Sequence, residues 1–428
     1  MVDKNVADGI VHAVEAGFDE QVKFTQDLVR YPSLRGQEAT AQDFLARQLG
    51  ARGFAVDRWK IDVGDIENMP GYSPKLDGYK DAYVTVGALR HGAPKGRSLV
   101  INGHIDVVPE GPHEMWQTPP FDPVIKDGWM HGRGAGDMKS GWVCGLFALE
   151  ALKRAGFRPA ADVFIEAVIE EESTGNGALS CLQRGYRADA ALIPEPMGEG
   201  VMRSQVGVMW FQVTVRGHPV HVAYAGSGAN AIEAAYRLIG ELHNLEKTWN
   251  ERGHPRYAGK DHPLNFNVGK IEGGDWASSV PAWCTFHMRA GLFPDQDLAT
   301  ARAEIEACLK AAAREDAFLA NSPPEVVWDG FQAEGYVLEE GSEAETVLRS
   351  SHRSVHGDEL VERALTGTTD ARFFGLYAKM PALVYGPLAE NIHGFDERVN
   401  LASCRDVTKA IALFVADWCG LEASATQS

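Results

Sequence analysis

Two histidines and a set of carboxylates stand where short apolar runs end. Leu99-Val100-Ile101 leads into Asn102-Gly103-His104-Ile105-Asp106. Residues 162–169 (DVFIEAVI) run straight into Glu170-Glu171-Glu172. Ala190–Ile193 ends at Pro194-Glu195-Pro196, and residues 381–385 are followed, after a short loop, by His393. Asp137 joins them from a glycine-rich turn, Gly132-Arg133-Gly134-Ala135-Gly136-Asp137. Imidazole and carboxylate together bind divalent cations that activate water for hydrolysis. Two histidines and three carboxylates, with one carboxylate shared, would hold two such ions. Zinc suits the donor set, with manganese and cobalt as alternatives.

Each position also has a plainer reading. A lone histidine after a strand is by default a hydrogen-bonded loop residue. Asp137 alone reads as a helix cap, and Glu-Glu-Glu as a solvated face. Glu195 between two prolines reads as loop. Jointly these readings must explain why every position falls at one edge of the same sheet. In an open α/β sheet that edge, beyond the carboxyl ends of the strands, is where ligands bind. Competing templates are absent: there is no GxxxxGK[ST], no HExxH and no GxSxG.

The elements that must position these groups are legible as strands alternating with helices. Apolar spacing predicts helices over about 10–30, 38–49, 142–155 and 178–184, and strands over 54–61, 82–89, 162–169 and 190–193. Residues 67–80, rich in Pro, Gly and Tyr, read as loop. This pattern indicates an α/β fold with a sheet mostly parallel in its middle. After Gly200 the pattern changes. Residues 208–217 alternate as a half-solvated antiparallel strand does, followed by a helix over 230–245, strands over 266–272 and 281–289, a helix over 296–313 and a short strand over 325–328. That is a separate α+β unit inserted in the first. The division expected is 1–205 and 330–428 for a catalytic α/β domain, with 206–329 between them. A helix capped by Ser342 and closed by Gly357, a strand over 381–385 and a last helix over 401–419 complete the chain.

The chain has 428 residues, 45% hydrophobic and 23% charged, ordinary for a globular protein of two or three domains. Its net charge of -18 argues against nucleic acid and anionic membrane surfaces as partners. It does not exclude an anionic small substrate, because bound cations supply local positive charge. No window has the length of a membrane span, and no secretory signal core is read at residues 1–20. The six cysteines are scattered without CxxC pairs. A reducing cytoplasm and free thiols are expected.

The run GHIDVVPEG, then GRGAGDMKSG, EEESTGNG, IPEP and a late HGFDER resemble the zinc aminoacylase/carboxypeptidase family. That family includes acetylornithine deacetylase, succinyl-diaminopimelate desuccinylase and carboxypeptidase G. The likeness runs from FTQDLVRYPSLRGQE near the start to the C-terminal helix. It implies that His104 and Glu195 bind one metal ion, Glu172 and His393 the other, and that Asp137 bridges both. It implies that Asp106 hydrogen-bonds the second ring nitrogen of His104 and fixes its tautomer, a role with its own physical logic. Glu171 would be the general base, taking a proton from the attacking water and passing it to the leaving nitrogen.

In the same resemblance the inserted unit is a lid through which a homodimer forms. His221, in Gly217-His218-Pro219-Val220-His221, would stabilise the oxyanion in the partner's site. Arg289 would hold a substrate carboxylate. The chain departs from the family at three places. Val222 follows His221 where a small residue is usual, Ser278-Ser279 precede Val280-Pro281 where asparagine is common, and Glu170 replaces an aspartate. The Ser278-Ser279 departure leaves the substrate open, and Glu170, neither base nor ligand, is expected to be tolerated.

The function expected is therefore a cytoplasmic dinuclear metal hydrolase that cleaves the amide bond of an N-acyl amino acid or small dipeptide-like molecule. An alternative keeps the chemistry and changes the bond to an imide, amidine or aryl amine. A non-catalytic binding protein is the third reading, but neither the base nor any ligand is missing.

Overall fold

The computed structural model describes residues 2–424. Its main sheet has six strands, in the order Ala55–Lys60, Tyr83–Leu89, Val163–Val168, Leu99–His104, Ala190–Ile193 and Ala382–Val384. The last four strands are mutually parallel, and the first two add an antiparallel edge. Every residue of Leu99–His104 and Val163–Val168 is buried. Strands covered on both faces read as continuous apolar runs rather than alternating ones, which is why these two stand out in the sequence.

Helices cover the sheet. Lys4–Val29 starts six residues before the expected position, capped by Asp3, whose side chain accepts the Asn5 N–H at 2.9 Å. Its buried stripe includes Ile10, Val14, Phe24 and Leu28, and it packs on Ser140–Arg154 and Leu401–Cys419. Ser342 accepts the Glu345 N–H at 3.1 Å and Gly357 closes that helix at φ 81°, as their types predict.

The second unit is a four-stranded antiparallel sheet in the order Phe266–Gly273, Trp283–Leu292, Gly207–Arg216 and Glu325–Ala333. Helices Ala231–Arg252 and Leu298–Glu315 pack with it. Its core is separate from the main one and contains Phe211, Val213, Leu238, Trp249, Phe286 and Ile305. The fold is therefore α/β with an inserted α+β unit. The strand read over 325–328 is nine residues long. Its second half carries Gly330 and the polar Gln332, which break the apolar pattern.

Two small sheets have no sequence signal. One joins Val124–Lys126, Trp129–His131, Arg398–Asn400 and Ala389–Glu390. The other joins Tyr336–Val337, Val201–Gln205 and Glu362–Leu365. Their strands are two to five residues long, too short for periodicity.

The loop over 67–80 bridges the two units. Pro74 O accepts the Gly330 N–H at 2.8 Å, Ser73 Oγ accepts the Gln332 N–H at 3.0 Å, and Asp329 Oδ1 accepts the Leu76 N–H at 3.1 Å. On the other side the Ser73 carbonyl accepts from Asn176 Nδ2 at 2.8 Å, and Asn176 Nδ2 also donates to Tyr79 Oη at 2.8 Å. No helix among the described residues is long and apolar enough to cross a membrane, and all six cysteines are free.

Candidate metal centre

His104 is the last residue of the central strand and is buried. Its Nδ1 donates to the Asp106 backbone carbonyl at 2.9 Å, so in the neutral ring Nε2, which faces Asp137 Oδ1 at 3.1 Å, is the nitrogen that can bind a cation. The orienting partner is thus the Asp106 carbonyl, with the carboxylate Oδ1 farther away at 3.6 Å. The Asp106 carboxylate instead accepts the Glu172 N–H through Oδ2 at 3.2 Å. Asp106 therefore ties the strand that carries His104 to the turn that carries Glu171 and Glu172.

That turn is held from below by Glu170, which takes φ 66°. Its carboxylate pairs with Arg35 in two bonds of 3.0 and 3.1 Å, and accepts the hydroxyls of Ser173 and Thr174, each at 3.0 Å. Its longer side chain reaches Arg35, so the glutamate is accommodated. Asp137 lies in the segment 135–139, whose Asp137–Met138 peptide is cis. Glu195 follows Ile193 through Pro194. Gly141, at the start of the helix after Asp137, lies so close to Pro194 that a Cβ would sit 1.8 Å from the Pro194 oxygen. His393 stands at φ 61° in the loop between Ala389–Glu390 and Arg398–Asn400.

These elements bring the five residues together. His104, Asp137 and Glu195 place one ligand atom each within 4.8 Å of one another, and so do Asp137, Glu172 and His393. Asp137 belongs to both groups, with Oδ1 3.1 Å from His104 Nε2 and Oδ2 3.5 Å from His393 Nε2. Glu172 lies 3.1 Å from His393, and Glu195 3.8 Å from His104. Glu171 is buried beside them, with Oε2 3.8 Å from His104 Nε2 and Oε1 without a hydrogen-bond partner.

The electrostatics mark an excess of buried negative charge. Burial and the neighbouring carboxylates push Glu195 and Glu171 well above the usual carboxylate range, against the pull of His104. Burial pushes Asp106 up to about 8. His393 is pushed up to about 11 by its bonds to Asp137 and Glu172. His104 is raised well above its ordinary value because Glu195, Asp137 and Glu171 outweigh its burial. Two imidazoles cannot neutralise this many carboxylates. The donor set and its spacing fit two divalent cations.

A cavity of about 550 Å³ opens on this centre. Its lining includes Asp137, Glu171, Glu172, Glu195 and His393 together with Trp210, Arg289 and Phe331. Arg289 is held in place by donating to the Asn265 and Thr366 carbonyls, each at 3.1 Å. His221 does not join these residues. It is exposed, and its Nδ1 accepts the Ala223 N–H at 3.1 Å at the head of a short turn.

Sequence reasoning missed Glu397 and Arg133. Buried Glu397 accepts the Gly136 and Asp137 N–H groups at 2.8 and 3.0 Å, and Arg133 donates to its second oxygen at 2.6 Å. Both lie in the motifs quoted above, Arg133 in GRGAGD and Glu397 in HGFDER, but nothing in their spacing pairs them.

A family model described as Peptidase family M20/M25/M40 matches residues 100–417. The N-formyl-4-amino-5-aminomethyl-2-methylpyrimidine deformylase of Bacillus subtilis (strain 168) is 29% identical over 431 residues, covering 95% of this chain and 96% of that protein. The succinyl-diaminopimelate desuccinylase of Alkalilimnicola ehrlichii is 28% identical, covering 90% of this chain and 95% of that one. Among solved structures, the dipeptidase Dug1p of Saccharomyces cerevisiae superposes with a TM-score of 0.81 at 16% identity, over 96% of this chain and 98% of its own.

Proposed function

The chain belongs to peptidase family M20/M25/M40, metal-dependent hydrolases of amide bonds, and from that membership we propose that it removes a small acyl group from a ring-bearing amine. The observation that carries the proposal is the aromatic pair Trp210 and Phe331, packed edge-to-face at 5.2 Å in the lining of the cavity that the carboxylates also line. An aromatic lining of that kind suits the flat amine half of an amide. The pyrimidine formamide in the name of the Bacillus subtilis relative has that shape.

In this reading His104 and Glu195 would hold one cation and Glu172 and His393 a second, with Asp137 shared between them. Zinc is the ion favoured, with manganese or cobalt as substitutes. Two bound divalent cations supply Lewis acidity, bringing the pKa of water from about 16 toward about 7. Glu171 takes the proton as water attacks the carbonyl, then delivers it to the leaving nitrogen. Burial strengthens its hold on a proton once taken, which suits the second step, delivery to the departing amine. Asp106 and Glu170 hold the turn from which Glu171 works.

We further propose a homodimer through the 206–329 unit. Exposed His221 would then serve the partner's site as an oxyanion donor. Six free thiols favour a reducing cytoplasm.

A second reading, an N-acyl amino acid, is favoured by Arg289, whose guanidinium lines the same cavity. The deciding experiment is a panel run with zinc, manganese or cobalt. It sets N-formyl aminomethylpyrimidine and N-formylbenzylamine against N-acetyl and N-succinyl amino acids and dipeptides. The ring-bearing formamides should show about 2- to 12-fold higher kcat/KM, the worth of one aromatic contact. A preference for the carboxylate-bearing amides, lost in Arg289→Met, would establish the second reading instead.

A further inference from the structure

Trp210 stands directly opposite Arg289 in the pairing of Gly207–Arg216 with Trp283–Leu292, and Arg289 stands opposite Asn267 on the next strand. Opposed residues of antiparallel strands share a face. All three line the cavity at the metal centre. An indole, a guanidinium and a carboxamide thus form one row across three strands along the cavity.

The row is built to stay in place. Pairing of Gly207–Arg216 with Glu325–Ala333 shifts between Met209 and Phe211, which sets Trp210 apart from its regular neighbours. The Trp210 carbonyl accepts from Gln332 Nε2 at 3.1 Å, and the indole packs edge-to-face on Phe331 at 5.2 Å. Gly330, at φ +80°, makes room for it, since a Cβ there would lie 2.5 Å from the ring. That Cβ would also lie 3.3 Å from the Ser173 oxygen, so the indole sits beside the turn that carries Glu171.

We propose that Trp210 is the residue that selects a flat heteroaromatic amine, stacking its ring while Arg289 and Asn267 donate to acceptor atoms on the ring edge. The proposal rests on the ring-bearing reading of the substrate and adds what recognises the ring. An indole face favours a flat partner over a puckered one of equal size. A neighbouring guanidinium and carboxamide favour ring nitrogens over a plain hydrocarbon edge.

The test is calorimetric binding of two amines, aminomethylpyrimidine and cyclohexylmethylamine, to the zinc-loaded protein. Wild type should bind the flat amine at least tenfold more tightly, Trp210→Ala should erase that preference, and Trp210→Phe should keep most of it. No preference in wild type, or a preference kept in Trp210→Ala, overturns the proposal. Formate release from the N-formyl derivative reads the reaction separately. Selective binding without release leaves the platform standing and removes the deformylation reading. Release with selectivity unmoved by Trp210→Ala does the reverse.

Discussion

Glu397 holds Asp137 by its backbone: one carboxylate oxygen accepts the Asp137 N–H at 3.0 Å, while Arg133 secures the other oxygen at 2.6 Å. The residue shared by both ligand groups is thereby fixed by a side chain 260 positions away. Groups that orient ligands are worth about 10–100-fold in metal affinity. Glu397→Gln should weaken metal binding by that amount, measured by competition with a chelating dye. Unchanged affinity would mean the turn holds Asp137 without Glu397.

Glu171→Gln keeps the volume of the side chain and removes its basicity. Turnover should fall by about 10²–10⁴-fold, the usual worth of a positioned base, with metal content intact. Elemental analysis beside the rate measurement separates loss of the base from loss of the cations. A variant that turns over normally with full metal would assign the proton transfer to another group.

Metal removal should cost stability as well as activity. The clustered carboxylates around His104 repel one another once no cation screens them. At free metal about 100 times Kd, binding adds about 2.7 kcal/mol to the folded state. Chelation should lower Tm and abolish hydrolysis, and zinc, manganese or cobalt should restore both. Activity that survives exhaustive chelation would refute the metal dependence.

Glu166 is fully buried in Val163–Val168, with one oxygen accepting from Asn102 at 2.9 Å. Burial pushes its carboxyl up to about 8 from an ordinary 4.5. The folded state therefore holds this proton more tightly than the unfolded chain. Its contribution is complete below pH about 4.5 and is lost as pH rises through about 8. Urea unfolding at pH 5, 6.5 and 8 should show wild type losing ground to Glu166→Gln, by up to about 1.4 kcal/mol per pH unit. Parallel curves would show that Glu166 titrates like an exposed carboxylate.

The parts of this site readable in sequence are those attached to a strong local signal. His104 and Glu195 end or follow buried strands, Glu172 follows one directly, and Asp137 closes a glycine-rich turn. The unreadable parts are pairings between distant segments. Arg35 and Glu170 are 135 positions apart, and no periodicity relates them. The small sheet that presents His393 has strands of two and three residues, below the length at which alternation registers. The tautomer of His104 was legible as needing a partner at Asp106, but whether the partner is carbonyl or carboxylate depends on a local bend that side-chain type does not encode. In sequence Trp210 is one more alternating strand residue. Its place at the cavity depends on a shifted pairing and on a glycine 120 residues later.

The loop through Ser73, Pro74 and Leu76 fastens the strand carrying Phe331 to the same Asn176–Tyr79–Glu170 network that seats Glu171. The Phe331 side of the cavity and the turn that carries Glu171 therefore share one hydrogen-bonded frame. A mutation that widens the cavity by displacing this loop should also disturb the seat of Glu171. Appetite for larger molecules and speed on small ones should trade against each other across variants of this enzyme.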